Sequence, residues 1–198
     1  MVVKSYRHYN YLLKLLFFMR KKLLSVFAIC LSIIIGFGFA SCSSTKKMSE
    51  QVAVVKNLDV KKYTGVWYEI ARFDFKYQKD MDSVTANYSL KENGDIKVIN
   101  KGYNTKDNEW KDVKGKAKFN GNEGSGALKV SFFGPFYSEY NIVKLSDDYS
   151  TALIFGESLD NMWILSRKKT ISESVKKEYL DFAAKNGYDL SRLVWTKQ

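Results

Sequence analysis

Two carboxylates, Glu69 and Asp74, stand in the aromatic stretch GVWYEIARFD, and an acid–base pair is the chemistry they could offer. Such a pair needs one carboxyl held protonated near one held ionised. Arg72, Lys76 and Lys79, in or just after the same stretch, could instead meet an anionic head group such as a phosphate. Thiol and imidazole chemistry rests on very few residues. The chain has one histidine, His8, and two cysteines, Cys30 and Cys42, all near its start.

That start reads as a targeting segment. Its first 42 residues hold six basic side chains (Lys4, Arg7, Lys14, Arg20, Lys21, Lys22) and no acid. The uncharged run LLSVFAICLSIIIGFGFA follows, ending in Ala40-Ser41 before Cys42. This is the order of a secretory signal peptide; a membrane-spanning helix is the alternative, since about 18 apolar residues just span a bilayer. Met19-Arg20-Lys21-Lys22 would make an ordinary signal start, so the true start codon could lie at Met19. Phe39-Ala40-Ser41-Cys42 resembles the lipobox of bacterial lipoproteins, with Phe39 where leucine is usual. The resemblance implies cleavage before Cys42 and acylation of its thiol and amine. Ser43, with no aspartate after the cysteine, is similar to the outer-membrane sorting pattern of enteric bacteria.

Cleavage there removes His8 and Cys30. The remainder is expected to hold no disulfide, no His/Cys metal site and no Ser-His or Cys-His nucleophile, and no cofactor is expected. It keeps 26 basic against 21 acidic residues, a net charge of +5. That excess suits a protein near an anionic lipid surface and does not demand nucleic acid. Alternation puts Lys114, Lys116 and Lys118 on the wet face of one strand.

Residues 43–58 are expected to be a tether, with the folded domain over 59–198. From Val66 to Arg167 short alternating segments recur about every ten residues, which predicts eight strands. Asn93-Gly94 predicts a type I′ hairpin with positive φ at both residues. One helix follows: Thr170 and Glu173 fit a capping box, Val175, Tyr179, Phe182 and Ala183 form one apolar stripe, and Asn186-Gly187 is the stop. Leu193-Val194-Trp195 reads as a short last strand. Eight sequential strands with short connections favour an all-β, eight-stranded antiparallel up-and-down barrel with one C-terminal α-helix, because closure removes exposed edges.

Gly65-Val66-Trp67-Tyr68-Glu69-Ile70-Ala71-Arg72 resembles the first signature of the lipocalins, G-x-W-Y-E-x-A-R. Asp148-Tyr149 is similar to the second, T-D-Y, with Asp147 in place of the threonine. That departure is expected to weaken the motif's hydrogen bonding. Trp163-Ile164-Leu165-Ser166-Arg167 is similar to the third. Val98–Asn104 and Ala127–Tyr137 look like the bacterial outer-membrane lipoprotein lipocalins. The resemblance spans about Asp59 to Trp195. It implies that Trp67 seals the closed end of the barrel with Arg167 across its indole. It also implies a carrier anchored through Cys42 in the outer membrane, facing the periplasm, with a fatty acid or lysophospholipid as its small hydrophobic ligand. A homodimer is a possible assembly.

Alternation proposes Ala86, Tyr88, Val98, Phe119, Val130, Phe132, Tyr140 and Trp163 as inward-facing. The resemblance puts Tyr137 and Trp163 in the cavity toward its open end. The candidate ligand residues are therefore Tyr88, Val98, Phe132, Tyr137, Tyr140 and Trp163. Two other readings stay open: a barrel filled by its own side chains, and an enzyme acting on a lipid with Glu69 and Asp74 as acid and base.

Overall fold

Each alternating segment becomes a strand in the computed structural model, which describes residues 52–198. The signal segment, Cys42 and the first part of the expected tether lie outside these residues. A single turn of helix α1 (Val60–Tyr63) precedes β1 (Gly65–Phe73). Seven strands follow: β2 (Met81–Leu90), β3 (Ile96–Asn104), β4 (Glu109–Phe119), β5 (Ala127–Ser131), β6 (Ser138–Leu145), β7 (Thr151–Phe155) and β8 (Met162–Ser166). Helix α2 (Glu173–Lys185), a 3-10 turn (Leu190–Arg192) and β9 (Leu193–Trp195) complete the chain. Neighbours in sequence pair antiparallel from β1 to β8, and β1 also pairs with β8, so the sheet closes.

Two apolar clusters lie on the two sides of the wall. The first draws a buried residue from every one of the eight strands, among them Trp67, Tyr88, Val98, Ala117, Leu128, Ile142, Ile154 and Leu165. A set contributed by all strands is the barrel interior. The second joins Phe73, Val143, Leu153, Phe155 and Ile164 to Tyr179 and Ala183 of α2, so the helix covers the outer face of β1 and β6 to β8. The stripe predicted from spacing is the face that packs.

Several local expectations are corrected. Ser172, not Thr170, caps α2: its Oγ accepts from Val175 N at 3.3 Å. The Asn93-Gly94 hairpin has positive φ at Gly94 alone, and Lys91 closes it by accepting from Gly94 and donating to Asp95. Residues 52–58, read as tether, are packed. Val52 and Leu58 are buried, Val55 exchanges backbone hydrogen bonds with Ile142 and Gly126, and Leu58 donates to Gly124. A segment with apolar side chains at 52, 55 and 58 found a partner that composition alone does not reveal.

Strands β1 and β2 pair only as far as Tyr68 and Thr85. Beyond that point β9 pairs with β1 through Ala71–Trp195 and Phe73–Leu193, and Ser83 donates to Lys197 O. The C-terminal residues thus fill the gap where the two strands part.

Candidate functional site

One end of the barrel is shut by residues of the signature motifs themselves. Trp67 is fully buried, and its Nε1 donates to Tyr63 O at 2.9 Å. The Arg167 guanidinium lies 3.9 Å from the indole centroid. It also donates to the carbonyls of Lys62, Thr64 and Val66 at 2.9, 2.8 and 2.7 Å, so it caps the C-terminal end of α1. Gly65 has φ +95°, and a Cβ there would come 3.3 Å from the same guanidinium. Tyr149 Oη accepts from Asp59 N at 3.0 Å, tying the loop of the second motif to the start of α1. That loop keeps a hydroxyl acceptor despite Asp147, because Ser146 Oγ accepts from Ser150 N and Thr151 N, both at 2.9 Å.

Above this floor the interior is apolar apart from Asn100 and a chain of hydroxyls. Tyr140 Oη lies 2.8 Å from Tyr63 Oη and 3.0 Å from Tyr88 Oη. Burial pushes the Tyr63 and Tyr140 hydroxyls well above the ordinary tyrosine range and Tyr88 up to about 12, so all three stay neutral. Phe132 packs over Gly115, where a Cβ would meet its ring at 2.7 Å.

The opposite end is the mouth, roofed by the loop between β1 and β2. Trp163 Nε1 donates to Gln78 Oε1 at 2.9 Å, and the Phe75 ring meets the indole edge-on at 6.0 Å. Gln78 Nε2 donates to Glu69 Oε2 at 2.9 Å. Glu69 Oε1 accepts from Arg72 at 2.9 Å and from Thr196 at 2.8 Å, and Arg72 further bonds Asp74, Gln78 O and Met81 O. Both carboxylates named as an acid–base pair are therefore bound by one guanidinium. Arg72 is likewise spent within the protein. Lys76 and Lys79 remain exposed on the loop, beside the exposed ring of Tyr77.

Comparison with known proteins settles what this barrel is. Residues 58–198 match the family model described as a lipocalin-like domain. The outer membrane lipoprotein Blc of Escherichia coli K12 is 48% identical over 163 residues, covering 82% of this chain and 92% of that protein. The Citrobacter freundii protein of the same name is 47% identical over the same shares. The chain belongs to the lipocalin family. Among solved structures, the cockroach allergen Per a 4 superposes with a TM-score of 0.59 at 20% identity, over 74% of this chain and 92% of that one.

In this lipocalin the predicted inward residues do come together. Ala86, Tyr88, Val98, Phe119, Val130, Phe132, Tyr140 and Trp163 all belong to the interior cluster. Tyr137 does not. Its ring lies 5.7 and 4.9 Å from the ammonium groups of Lys116 and Lys118, which point outward, because period-2 alternation puts 137 on the opposite face from Tyr140. Trp67 and Arg167 occupy the floor as expected. Tyr63 and Asn100 were missed. Tyr63 sits on a single helical turn, too short for any periodicity to register. Asn100 continues the inward alternation of Ile96 and Val98, but a polar residue at an apolar position breaks the pattern instead of signalling a role.

A groove of about 380 Å³ lies outside the barrel, lined by residues such as Lys144, Ser146, Thr151 and Glu178. It is open to water and crossed by the Lys144–Glu178 ion pair at 3.1 Å, so it offers an acyl chain no apolar enclosure.

Proposed function

We propose that this lipocalin is a lipid-anchored carrier of single-chain lipids, fatty acids or lysophospholipids, in the bacterial envelope. One observation carries the reading: an apolar and aromatic interior built by all eight strands, sealed by Trp67 at one end and roofed by a loop at the other. The mechanism is burial. Each CH₂ taken from water contributes about 0.8 kcal/mol, so a 16-carbon chain offers about 12 kcal/mol before ordering costs. Tyr88, Val98, Phe132, Tyr140 and Trp163 form the wall the chain would touch, and Lys76 and Lys79 stand where a phosphate or carboxylate would emerge. The names of the Escherichia and Citrobacter relatives support an outer-membrane location, reached through acylation of Cys42 with the barrel on the periplasmic side.

The test is titration of residues 46–198, the compact unit that carries the barrel, with lysophospholipid and fatty acid. The expected affinity is near micromolar, roughly −8 kcal/mol. Trp163→Ala should weaken binding at least tenfold while unfolding stays cooperative, since the residue forms wall and pins the roof. Cys42→Ser in the full chain should move the protein from the membrane to the soluble fraction, because stable attachment takes two or more acyl chains. One observation favours a second reading, a barrel filled by its own side chains: Phe132 occupies the space over Gly115. Absence of saturable binding by the wild type would select it.

A further inference from the structure

Hydrogen-bond counting inside the barrel leaves a proton without an acceptor. Three neutral tyrosine hydroxyls carry three protons, and the two contacts of Tyr140 with Tyr63 and Tyr88 use two of them. Whichever way the chain is oriented, one O–H is left over. The Oδ1 atom of Asn100 is an acceptor in the converse position, buried and without a partner. Asn100 lies opposite Ala86, and Val98, the preceding inward residue of β3, lies opposite Tyr88. Inward neighbours along a strand are about 7 Å apart, so the lone acceptor stands one step nearer the mouth than the hydroxyl chain. Leaving a buried donor and a buried acceptor unmade is costly, and phenylalanine or leucine at these positions would avoid the cost. Fold stability therefore does not account for them.

We propose that the Tyr63–Tyr140–Tyr88 hydroxyl chain, with Asn100 above it, is a polar subsite for a neutral oxygen function, a hydroxyl, ketone or ester, carried by the buried part of the ligand's apolar chain. The site rests on the carrier reading and narrows its ligand class. A carboxylate is the wrong partner at this depth. A buried anion needs a counter-charge, and the guanidinium of Arg167 lies against Trp67 with its donors spent on backbone carbonyls. A neutral oxygen takes the spare O–H, and a hydroxyl also returns a proton to Asn100.

Hexadecanoate and 16-hydroxyhexadecanoate test this, since they share head group and length and differ by one oxygen at the buried end. Both are titrated against residues 46–198 by calorimetry. The wild type is expected to bind the hydroxylated acid at least as tightly as its parent. Tyr140→Phe should shift the ratio at least tenfold toward the parent. Asn100→Leu should shift it the same way while raising the thermal midpoint, and it keeps the test alive if Tyr140→Phe folds poorly. A wild type that prefers the parent tenfold or more overturns the subsite. So does saturable binding of both acids with a ratio unchanged in the variants, which leaves the carrier reading standing. If neither acid binds saturably, the subsite falls, and the carrier reading falls with it only if lysophospholipid also fails to bind.

Discussion

Removing the Arg167 side chain should loosen the sealed end of the barrel and do so through Trp67. Its guanidinium stacks at 3.9 Å on a fully buried indole, an arrangement that contributes about 0.5–2 kcal/mol. It also satisfies carbonyls of Lys62, Thr64 and Val66 around the end of α1. The side chain is only partly buried, so water can replace some of these bonds, and we count roughly the equivalent of one charge-assisted bond, about 1.5–3 kcal/mol. Arg167→Ala is thus expected to cost about 2–5 kcal/mol, a fall of about 4–20 °C in melting temperature for a domain of this size. Trp67→Ala should cost about 3–5 kcal/mol as a truncated buried aromatic. Both alanines together could exhaust the stability of a domain, so the cycle pairs Arg167→Ala with Trp67→Leu, which keeps apolar volume and removes the π face. Urea unfolding of residues 46–198 should give a coupling energy of about 0.5–2 kcal/mol. Arg167→Lys should recover less than half of the loss, because an ammonium cannot stack flat or span several carbonyls. Losses that add within about 0.3 kcal/mol would refute the stacking account.

Alkaline pH should destabilise the barrel through its buried tyrosines. Their folded values are raised, so the stability they hold is complete below the ordinary tyrosine value near 10 and is lost as pH climbs from there through the folded value, about 12 for Tyr88. Each such group adds a slope of about 1.4 kcal/mol per pH unit in that window, measured by urea midpoints, and Tyr88→Phe should flatten the curve. Gly115→Ala should cost about 1–3 kcal/mol by overpacking, since its Cβ would press on the Phe132 ring and on Ser131 O at 2.7 Å; an unchanged urea midpoint would refute this close packing.

Local chemistry in the sequence accounts for the architecture. Alternation placed the strands, short connections forced neighbour pairing, and the Val175–Ala183 stripe chose the face of α2 that packs. The inward set from Ala86 to Trp163 was readable for the same reason: in a strand the side-chain period is 2, so one correct register assigns every residue to a face. Tyr137 shows the limit. It precedes the first paired residue of β6, where a resemblance suggested a role but the strand's own parity turned the ring outward, against Lys116 and Lys118. The cap of α2 is Ser172 and not Thr170: a serine accepts from the amide three residues on without needing the glutamate that drew attention to Thr170.

Periodicity and short connections were enough to specify the closed barrel and its apolar wall, whereas the Trp67–Arg167 seal, which joins the first strand to the end of the last, was legible only through the resemblance of its two motifs to the lipocalin signatures. Tertiary structure alone decided the polar features. The Glu69–Arg72 pair reaches Thr196, across 127 positions, and the hydroxyl chain joins Tyr63 to Tyr140 across 77. The packing of residues 52–58 on Gly124, Gly126 and Ile142 was equally invisible. Hydrogen bonds are short and directional, so a partner far along the chain is fixed only once closure has brought the strands together.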